Sequence, residues 1–315
     1  MKVIETGYPH TFNINDFPPL SVALGFFDGV HKGHQQVIST AVDIACQNGW
    51  KSAVMTFYPH PLKVLKKGTE VDYITPIEDK VSYIEELGVD YLFIVRFTPE
   101  FASLMPQQFV DDYLIGLNVK HVTAGFDYSY GCQGKGNMET LPIHAGGKLG
   151  CTVIERIDME EEKISSTKIR AILKEGDMVA FRKLAGRPYV TRGTVVHGEK
   201  RGRKLGFPTA NTLLDDEYII PSTGVYAVRL QMDGIHYPGV CNVGYKPTFH
   251  DQHPGKPSVE VHLFDFEGDI YGKRVAIEWH YRLRSEKKFS GLEELVAQIN
   301  KDKQSAKEFF NMHSI

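Results

Sequence analysis

The chain has 315 residues, 42% of them hydrophobic and 24% charged, with 36 Lys and Arg against 39 Asp and Glu for a net charge of -3. That is apolar material for about two domains, and it excludes a disordered tail, a collagen and a small disulfide scaffold. The charge is too balanced for a protein that wraps nucleic acid. The part before Gly186 carries 18 basic and 23 acidic residues and the part from Gly186 onward 18 and 16, so the second suits a phosphate ligand better than a duplex.

In chain order, Ser21–Phe27 is a short apolar run that ends at Asp28-Gly29, and helical spacing follows over His34–Gln47. Ser52–Tyr58 predicts a second buried strand, closed by Pro59-His60-Pro61. A helix is predicted from Pro76 to Leu87, with Pro suited to its first turn and Gly88 to its end. Tyr91–Phe97 and Lys120–Ala124 predict two more strands with a helix over Pro106–Ile115 between them, and Cys151–Glu155 a weaker fifth. Continuous apolar runs alternating with helix-sized patterns predict βαβ units and a parallel sheet covered on both faces, an α/β architecture of the nucleotide-binding kind. Two helices, Ser166–Lys174 and Asp177–Leu184, are expected to close this half, with a linker at Ala185-Gly186-Arg187-Pro188.

Beyond the linker the pattern changes. Tyr189–His197, Val225–Gln231, His236–Val243, Ser258–Phe264 and Val275–Tyr281 are short strand candidates between Gly- and Pro-rich turns, and Leu292–Phe310 is a long amphipathic helix. Regularly spaced short strands predict an antiparallel barrel or sandwich. The expected organisation is an α/β domain over residues 1–185 and a β-barrel domain with a terminal helix over 186–315. Cys46, Cys132, Cys151 and Cys241 lie far apart with no CxxC pair. They predict reduced thiols in a cytoplasmic protein. The N-terminal residues hold no secretory-length apolar stretch, and no run approaches the ~18 residues of a membrane span.

The first constellation of chemical interest is Gly25-Phe26-Phe27-Asp28-Gly29-Val30-His31-Lys32-Gly33-His34, where a buried strand turns into a helix. Its glycines let backbone approach a ligand. The first N–H groups of the helix favour an anion, and two imidazoles three apart could stabilise charge developing on a phosphate. A tight turn with two solvated histidines has the same spacing. No HExxH, P-loop or GxGxxG is present, so zinc and the commonest nucleotide loops are set aside. A second constellation, Ile164-Ser165-Ser166-Thr167-Lys168-Ile169-Arg170, opens a helix. It is either an ordinary N-cap or a polyphosphate site in which Arg170 adds a planar fork of donors.

The second half holds Gly193–Asn211, GTVVHGEKRGRKLGFPTAN. If extended, Thr209 and Asn211 share a side and offer a hydroxyl and an amide oxygen, hard ligands of the kind Mg²⁺ takes. Lys200, Arg201, Arg203 and Lys204, interleaved with Gly202 and Gly206, make a basic loop suited to phosphates or simply a solvated face. In Ser258–Phe264, Ser258, Glu260 and His262 share one side and Val259, Val261 and Leu263 the other. A carboxylate there could take a proton from a substrate hydroxyl.

Together these motifs resemble the bifunctional bacterial riboflavin kinase/FAD synthetase family. GxxDGxHxGH and ISSTxIR resemble its HxGH-type, Rossmann-like nucleotidyltransferase domain. Thr56-Phe57-Tyr58-Pro59-His60-Pro61 and Gly125-Phe126-Asp127 agree, while Tyr128-Ser129-Tyr130 stands where the family has Phe-Arg-Phe. The extended PTAN loop resembles its riboflavin kinase domain, as does Gly239–Phe249, read as wall and turn. The resemblance implies Mg²⁺-dependent, ATP-driven phosphorylation of riboflavin to FMN and ADP, then adenylylation of FMN by ATP to FAD and pyrophosphate. It implies His31, His34 and Glu260 as catalytic residues, and Gly25, Asp28, Gly33, Ser166, Thr167 and Arg170 on the adenylyltransferase ATP. Asp127 would lie by the flavin there. Thr209 and Asn211 would hold the metal, Gly198, Gly202 and Lys204 the kinase ATP, and Arg284, with the helix from Leu292, the kinase flavin. No nucleic-acid, membrane or obligate protein partner is expected. Two other readings remain open: an adenylyltransferase for a different phosphorylated metabolite with a barrel that only binds ligand, and a flavin-binding or nucleic-acid-binding regulatory module without turnover, the near-neutral charge arguing against the nucleic-acid version.

Overall fold

The computed structural model describes residues 1–66, 68–156, 158–159, 162–198, 202, 205–215, 217–245 and 257–313. The chain divides into two units, Met1–Ser166 and Thr167–Ile315.

The first unit is built from β1 (Lys2–Thr6), β2 (Leu20–Leu24), α1 (Lys32–Asn48), β3 (Lys51–Tyr58), α2 (Pro61–Leu65), α3 (Ile77–Glu85) and β4 (Tyr91–Arg96). There follow α4 (Pro99–Ala102), α5 (Pro106–Phe109), β5 (Val119–Gly125), the short pair β6 (Ser129–Tyr130) and β7 (Gly136–Asn137), α6 (Leu141–Ala145), β8 (Gly150–Ile154), and the pair β9 (Asp158–Met159) and β10 (Glu162–Lys163). Six strands form a wholly parallel sheet in the order β1-β4-β3-β2-β5-β8. Every residue of β2 is buried. Leu20, Val22 and Leu24 enter one core with Phe93 and Tyr113, and Ala23 enters the opposite core with Val37, Ile38 and Ala41 of α1. Covering both faces is why this strand reads as an unbroken apolar run.

β2 is flanked by β3, which follows it in sequence, and by β5, reached only after β4. Ligands of open α/β sheets bind outside the carboxyl ends of the strands at such a reversal. The expected parallel sheet is therefore present, with two local differences. β1 was not predicted, because it is a half-exposed edge strand without a continuous or alternating apolar pattern. The predicted helix over 106–115 is α-helical only to Phe109. It continues as a π-helix over Val110–Ile115, closed by the Gly116 N–H donating to the Asp111 carbonyl at 2.8 Å.

The second unit takes in α7 (Ser166–Glu175) from Thr167 onward and then α8 (Met178–Ala185). A closed antiparallel barrel follows: β11 (Tyr189–Val196), β12 (Ala210–Leu214), β13 (Gly224–Met232), β14 (Ile235–Gly244), β15 (Ser258–Leu263) and β16 (Arg274–Arg284), ordered β11-β12-β15-β14-β13-β16. Closure removes the open sheet edges that a sandwich would leave. α8 packs on β11 and β16, with the Phe181 and Tyr189 rings 5.2 Å apart. α9 (Leu292–His313) lies on β13, β14 and β16 and buries Ala306 and Phe310 against Val225, Ala227 and Val240. β12 was not among the predicted strands. It is short, and Asn211 and Thr212 interrupt the apolar pattern that marks the others.

Candidate active sites

At the carboxyl end of β2 the chain makes a turn with three successive demands on backbone geometry: φ is +54° at Phe27, +93° at Gly29 and +37° at Val30. Only the second is cheap, because glycine has no Cβ. Tertiary hydrogen bonds hold the rest. The Phe26 carbonyl accepts from Thr56 Oγ1 at 2.9 Å and from Lys80 Nζ at 2.8 Å. The buried Asp28 carboxylate accepts from the Ile74 N–H at 3.1 Å and the Thr75 N–H at 3.0 Å. Ser166 Oγ donates to the Asp28 carbonyl at 2.9 Å, and Gln35 Nε2 to the Val30 carbonyl at 2.8 Å.

His31 caps α1: the His34 N–H donates to its Nδ1 at 3.2 Å. Accepting at Nδ1 puts the proton of a neutral imidazole on Nε2. The two rings stack, with centroids 3.6 Å apart and planes at 18°. The histidines are thus a packed pair, with the His31 residue itself buried. A Cβ at Gly33 would meet the His31 ring at 3.2 Å, and one at Gly25 the Phe27 ring at 2.7 Å, so both glycines make room for this packing. Burial, then the His31 ring and the Lys80 ammonium, hold His34 well below its ordinary imidazole value. His34 is therefore neutral at pH 7, and its Nδ1 has no hydrogen-bond partner among the described residues.

Asp127 is exposed in the loop after β5, at the same sheet edge as the histidine turn. The neighbouring Tyr128 hydroxyl is buried without a partner among the described residues, which pushes its pKa up. Tyr130 hydrogen-bonds His144 Nδ1 at 2.8 Å. Ser166 opens α7. Thr167 is exposed in the first turn of that helix, and Arg170 is half-buried one turn on.

In the barrel, β12 and β14 flank β15 so that Glu260 stands opposite Asn211 on one side and Asn242 on the other. This row of amide, carboxylate and amide shares its face with Val225 and Val240, the face that α9 covers in part. The Asn211 side chain is buried, and a Cβ at Gly198 would collide with its amide group. Gly202 closes the loop before β12, its carbonyl accepting from the Leu205 N–H at 3.0 Å and the Phe207 N–H at 2.9 Å. His262, two residues after Glu260, bonds through Nδ1 to the Pro208 carbonyl at 2.9 Å. That contact ties the FPTAN segment to the strand carrying Glu260.

Thr209 lies on the wall of a pocket of about 240 Å³, with Val195, Val261, Leu263, Ile270 and Tyr271 among its other walls. The His197 ring lies 3.9 Å from that of Tyr271. Among the described residues no cluster of three His, Cys, Asp or Glu could hold a metal. The oxygens on offer are the Thr209 hydroxyl and the Asn211 amide, with Asn211 set in a cradle that only a glycine leaves open. Such a set fits Mg²⁺, which keeps waters and takes phosphate oxygens for its remaining ligands.

Arg284 ends β16 in a fork on Asp302 of α9, at 3.0 Å from Nε and 2.8 Å from Nη2. Gln298 also donates to Asp302, at 2.8 Å. Lys200, Arg201, Arg203 and Lys204 of the basic loop, and Lys246–Phe249, lie outside the described residues.

Residues 14–168 match the family model for FAD synthetase and residues 185–310 that for riboflavin kinase. Along its whole length the chain is similar to the bifunctional riboflavin kinase/FMN adenylyltransferase of Bacillus subtilis, 52% identical over 99% of both chains. The chain belongs to the bifunctional riboflavin kinase/FMN adenylyltransferase family. The Escherichia coli K12 member is 35% identical over 92% of this chain and 93% of its own.

A solved structure from Streptococcus pneumoniae, titled a macrolide-efflux protein, shares the fold at TM-score 0.88 and 33% identity, covering 98% of this chain and 99% of that one. Among the described residues of this family member, no helix is long and apolar enough to cross a membrane. The motifs that suggested a flavokinase and an adenylyltransferase thus correspond to the family's two halves. The residue that motif reading passed over is Lys80. Its signal was a lysine on the apolar spacing of Ile77, Val81 and Ile84 in a predicted helix.

Proposed function

We propose that the two units carry the two reactions separately: phosphorylation of riboflavin in the barrel and adenylylation of FMN at the parallel sheet. What supports this is that the histidine pair lies in one unit and the Asn211–Glu260–Asn242 row in the other.

In the barrel, Glu260 takes the proton of the riboflavin 5′-hydroxyl as that oxygen attacks the γ-phosphorus of ATP. The bond to the β,γ-bridging oxygen breaks and ADP leaves. Such transfers need positioning and charge neutralisation more than covalent chemistry. Thr209 and Asn211 would hold Mg²⁺, which when bound neutralises phosphate charge. The apolar pocket beside Thr209 accepts the purine, and Gly198 and Gly202 shape the loop over the phosphates. Arg284 serves the flavin side by fixing α9 through Asp302.

At the sheet, an oxygen of the FMN phosphate attacks the α-phosphorus of ATP, and the bond to the α,β-bridging oxygen breaks to release pyrophosphate. No protein nucleophile is required. The His31 Nε2–H and the neutral His34 ring stabilise charge at the α-phosphate. Asp28, Gly25 and Gly33 give the turn its shape, and Ser166, which donates to the Asp28 carbonyl, lies on the polyphosphate side. Asp127, at the same sheet edge, lies on the flavin side. We place the enzyme in the cytoplasm, in keeping with its four unbridged cysteines.

The test is chromatography of purified protein with riboflavin, ATP and Mg²⁺ over time. FMN is expected first and then FAD. FAD formed only from supplied FMN would remove the kinase assignment, and neither product would remove both.

A further inference from the structure

Lys80 of α3 is 2% exposed, the least accessible cation among the described residues. Its ammonium donates to the Phe26 carbonyl at 2.8 Å and lies 4.2 Å from the centroid of the Phe26 ring, which also meets the His60 ring edge-on, centroids 4.5 Å apart. Among the described residues no carboxylate is within ion-pair distance of Lys80. The charge of Asp28 favours its protonated form from further off, and that carboxylate is taken up by the Ile74 and Thr75 N–H groups. On its own helix, Asp79 is the buried neighbour.

A carbonyl needs no ammonium to be satisfied. Thr56 Oγ1 already donates to the Phe26 carbonyl without bringing a charge out of water. Burying a cation that lacks a counter-ion is expensive, and such a group either gives up its proton or waits for negative charge. This cation sits at the root of the turn where α1 begins, beside a histidine pair in which the His34 Nδ1 is buried and unpartnered. The Asp28 carboxylate offsets the Lys80 charge only in part, being also bonded to two backbone N–H groups.

Resting on the adenylyl-transfer assignment above, we propose that Lys80 is a positioning residue of that site. It fixes the histidine turn through the Phe26 carbonyl and supplies a buried positive charge, offset only in part by Asp28, that the ATP polyphosphate balances further. Desolvation, opposed in part by Asp28, lowers the Lys80 pKa to about 8 in the ligand-free protein. The polyphosphate favours the charged form, so ATP binding in mild alkali draws a proton onto the amine. His34, which feels the Lys80 charge from α1, is held well below its ordinary value by burial and adds no second ionisation in this range.

The pH dependence of FAD formation from FMN tests this in the wild type, Lys80→Arg and Lys80→Met. kcat/KM for ATP reports the free enzyme and kcat the complex. In the wild type, kcat/KM is expected to fall about tenfold per pH unit above pH 8, with kcat holding to higher pH. Lys80→Arg, which cannot lose its charge, should have no such fall. Lys80→Met should lower kcat/KM by about ten- to a hundredfold at pH 7, with no fall above pH 8 and with riboflavin phosphorylation unchanged. An unshifted alkaline fall in Lys80→Arg, or wild-type kcat/KM in Lys80→Met, would overturn the proposal. Because the Arg variant keeps the charge, it decides the matter even if the Met variant does not fold. FAD absent from all three proteins at every pH would instead remove the adenylyl-transfer assignment itself.

Discussion

Asn211 stands directly across an antiparallel strand pair from Glu260, in a register that also sets Asn242 against the other side of the same residue. Residues so opposed have Cβ atoms about 4.5–5.5 Å apart, so the amides of two strands share a face with one carboxylate. Glu260→Gln preserves this row's shape and removes only the base. We expect it to slow FMN formation from riboflavin by about 10²–10⁴-fold, the usual contribution of a general base. FAD formation from supplied FMN should be unchanged, and product chromatography with each substrate separates the two. Equal losses in both reactions would mean that Glu260 is not confined to the kinase.

The histidine pair makes the reciprocal case. His31→Ala and His34→Ala should each let FMN accumulate while reducing its conversion to FAD by about 10²-fold or more, the scale of a lost oxyanion-type donor. The rate of FMN appearance is the internal control. FAD made at the wild-type rate would remove both residues from the chemistry.

Gly198 is expected to tolerate no side chain. A Cβ there would run into the Asn211 amide, and β12 is held by pairing on both edges and cannot retreat. Gly198→Ala should therefore displace the Asn211 oxygen. Riboflavin phosphorylation should fall at least about tenfold and need more Mg²⁺, as expected when a ligand loses its orientation. A Mg²⁺ titration of the kinase rate checks this, and an unchanged midpoint would count against Asn211 as a ligand.

Two buried bases also couple stability to pH. His34 is held well below 6.5, so as pH falls through 6.5 the unfolded chain binds a proton that the folded chain refuses, and stability is lost. Lys80, at about 8 folded and 10.5 as its ordinary value, behaves the same way higher up. The cost of its buried charge is present in full below pH 8 and is relieved between 8 and 10.5, so stability rises with pH there. Each group contributes a slope of at most about 1.4 kcal/mol per pH unit. Urea midpoints for the wild type, His34→Phe and Lys80→Met, compared from pH 5 to 7 and from 8 to 10, should show each slope reduced only in its own variant.

What could be read from the chain alone was what is local in it. The turn from β2 into α1, with its glycines and two histidines, is written in ten consecutive residues, because strand end, cap and helix start are neighbours in sequence. The alternation of covered strands and helices, and the change to short strands after residue 188, follow from periodicity, which the backbone imposes on any chain. The PTAN segment was legible for the same reason, whereas β1 and β12 were not, one half-exposed and the other polar where it lies against Glu260. The tertiary structure decided the pairings. Lys80 reaches Phe26 across 54 positions and His262 reaches Pro208 across another 54. The register that sets Asn211 and Asn242 on either side of Glu260 comes from three neighbouring barrel strands, with β15 between β12 and β14 although β12 is distant from it in sequence. A lysine on an apolar helical face and a glutamate on an alternating strand are ordinary in sequence. Their ionisation and reach depend on which groups the fold packs around them and how much water it removes, and no spacing within the chain records that.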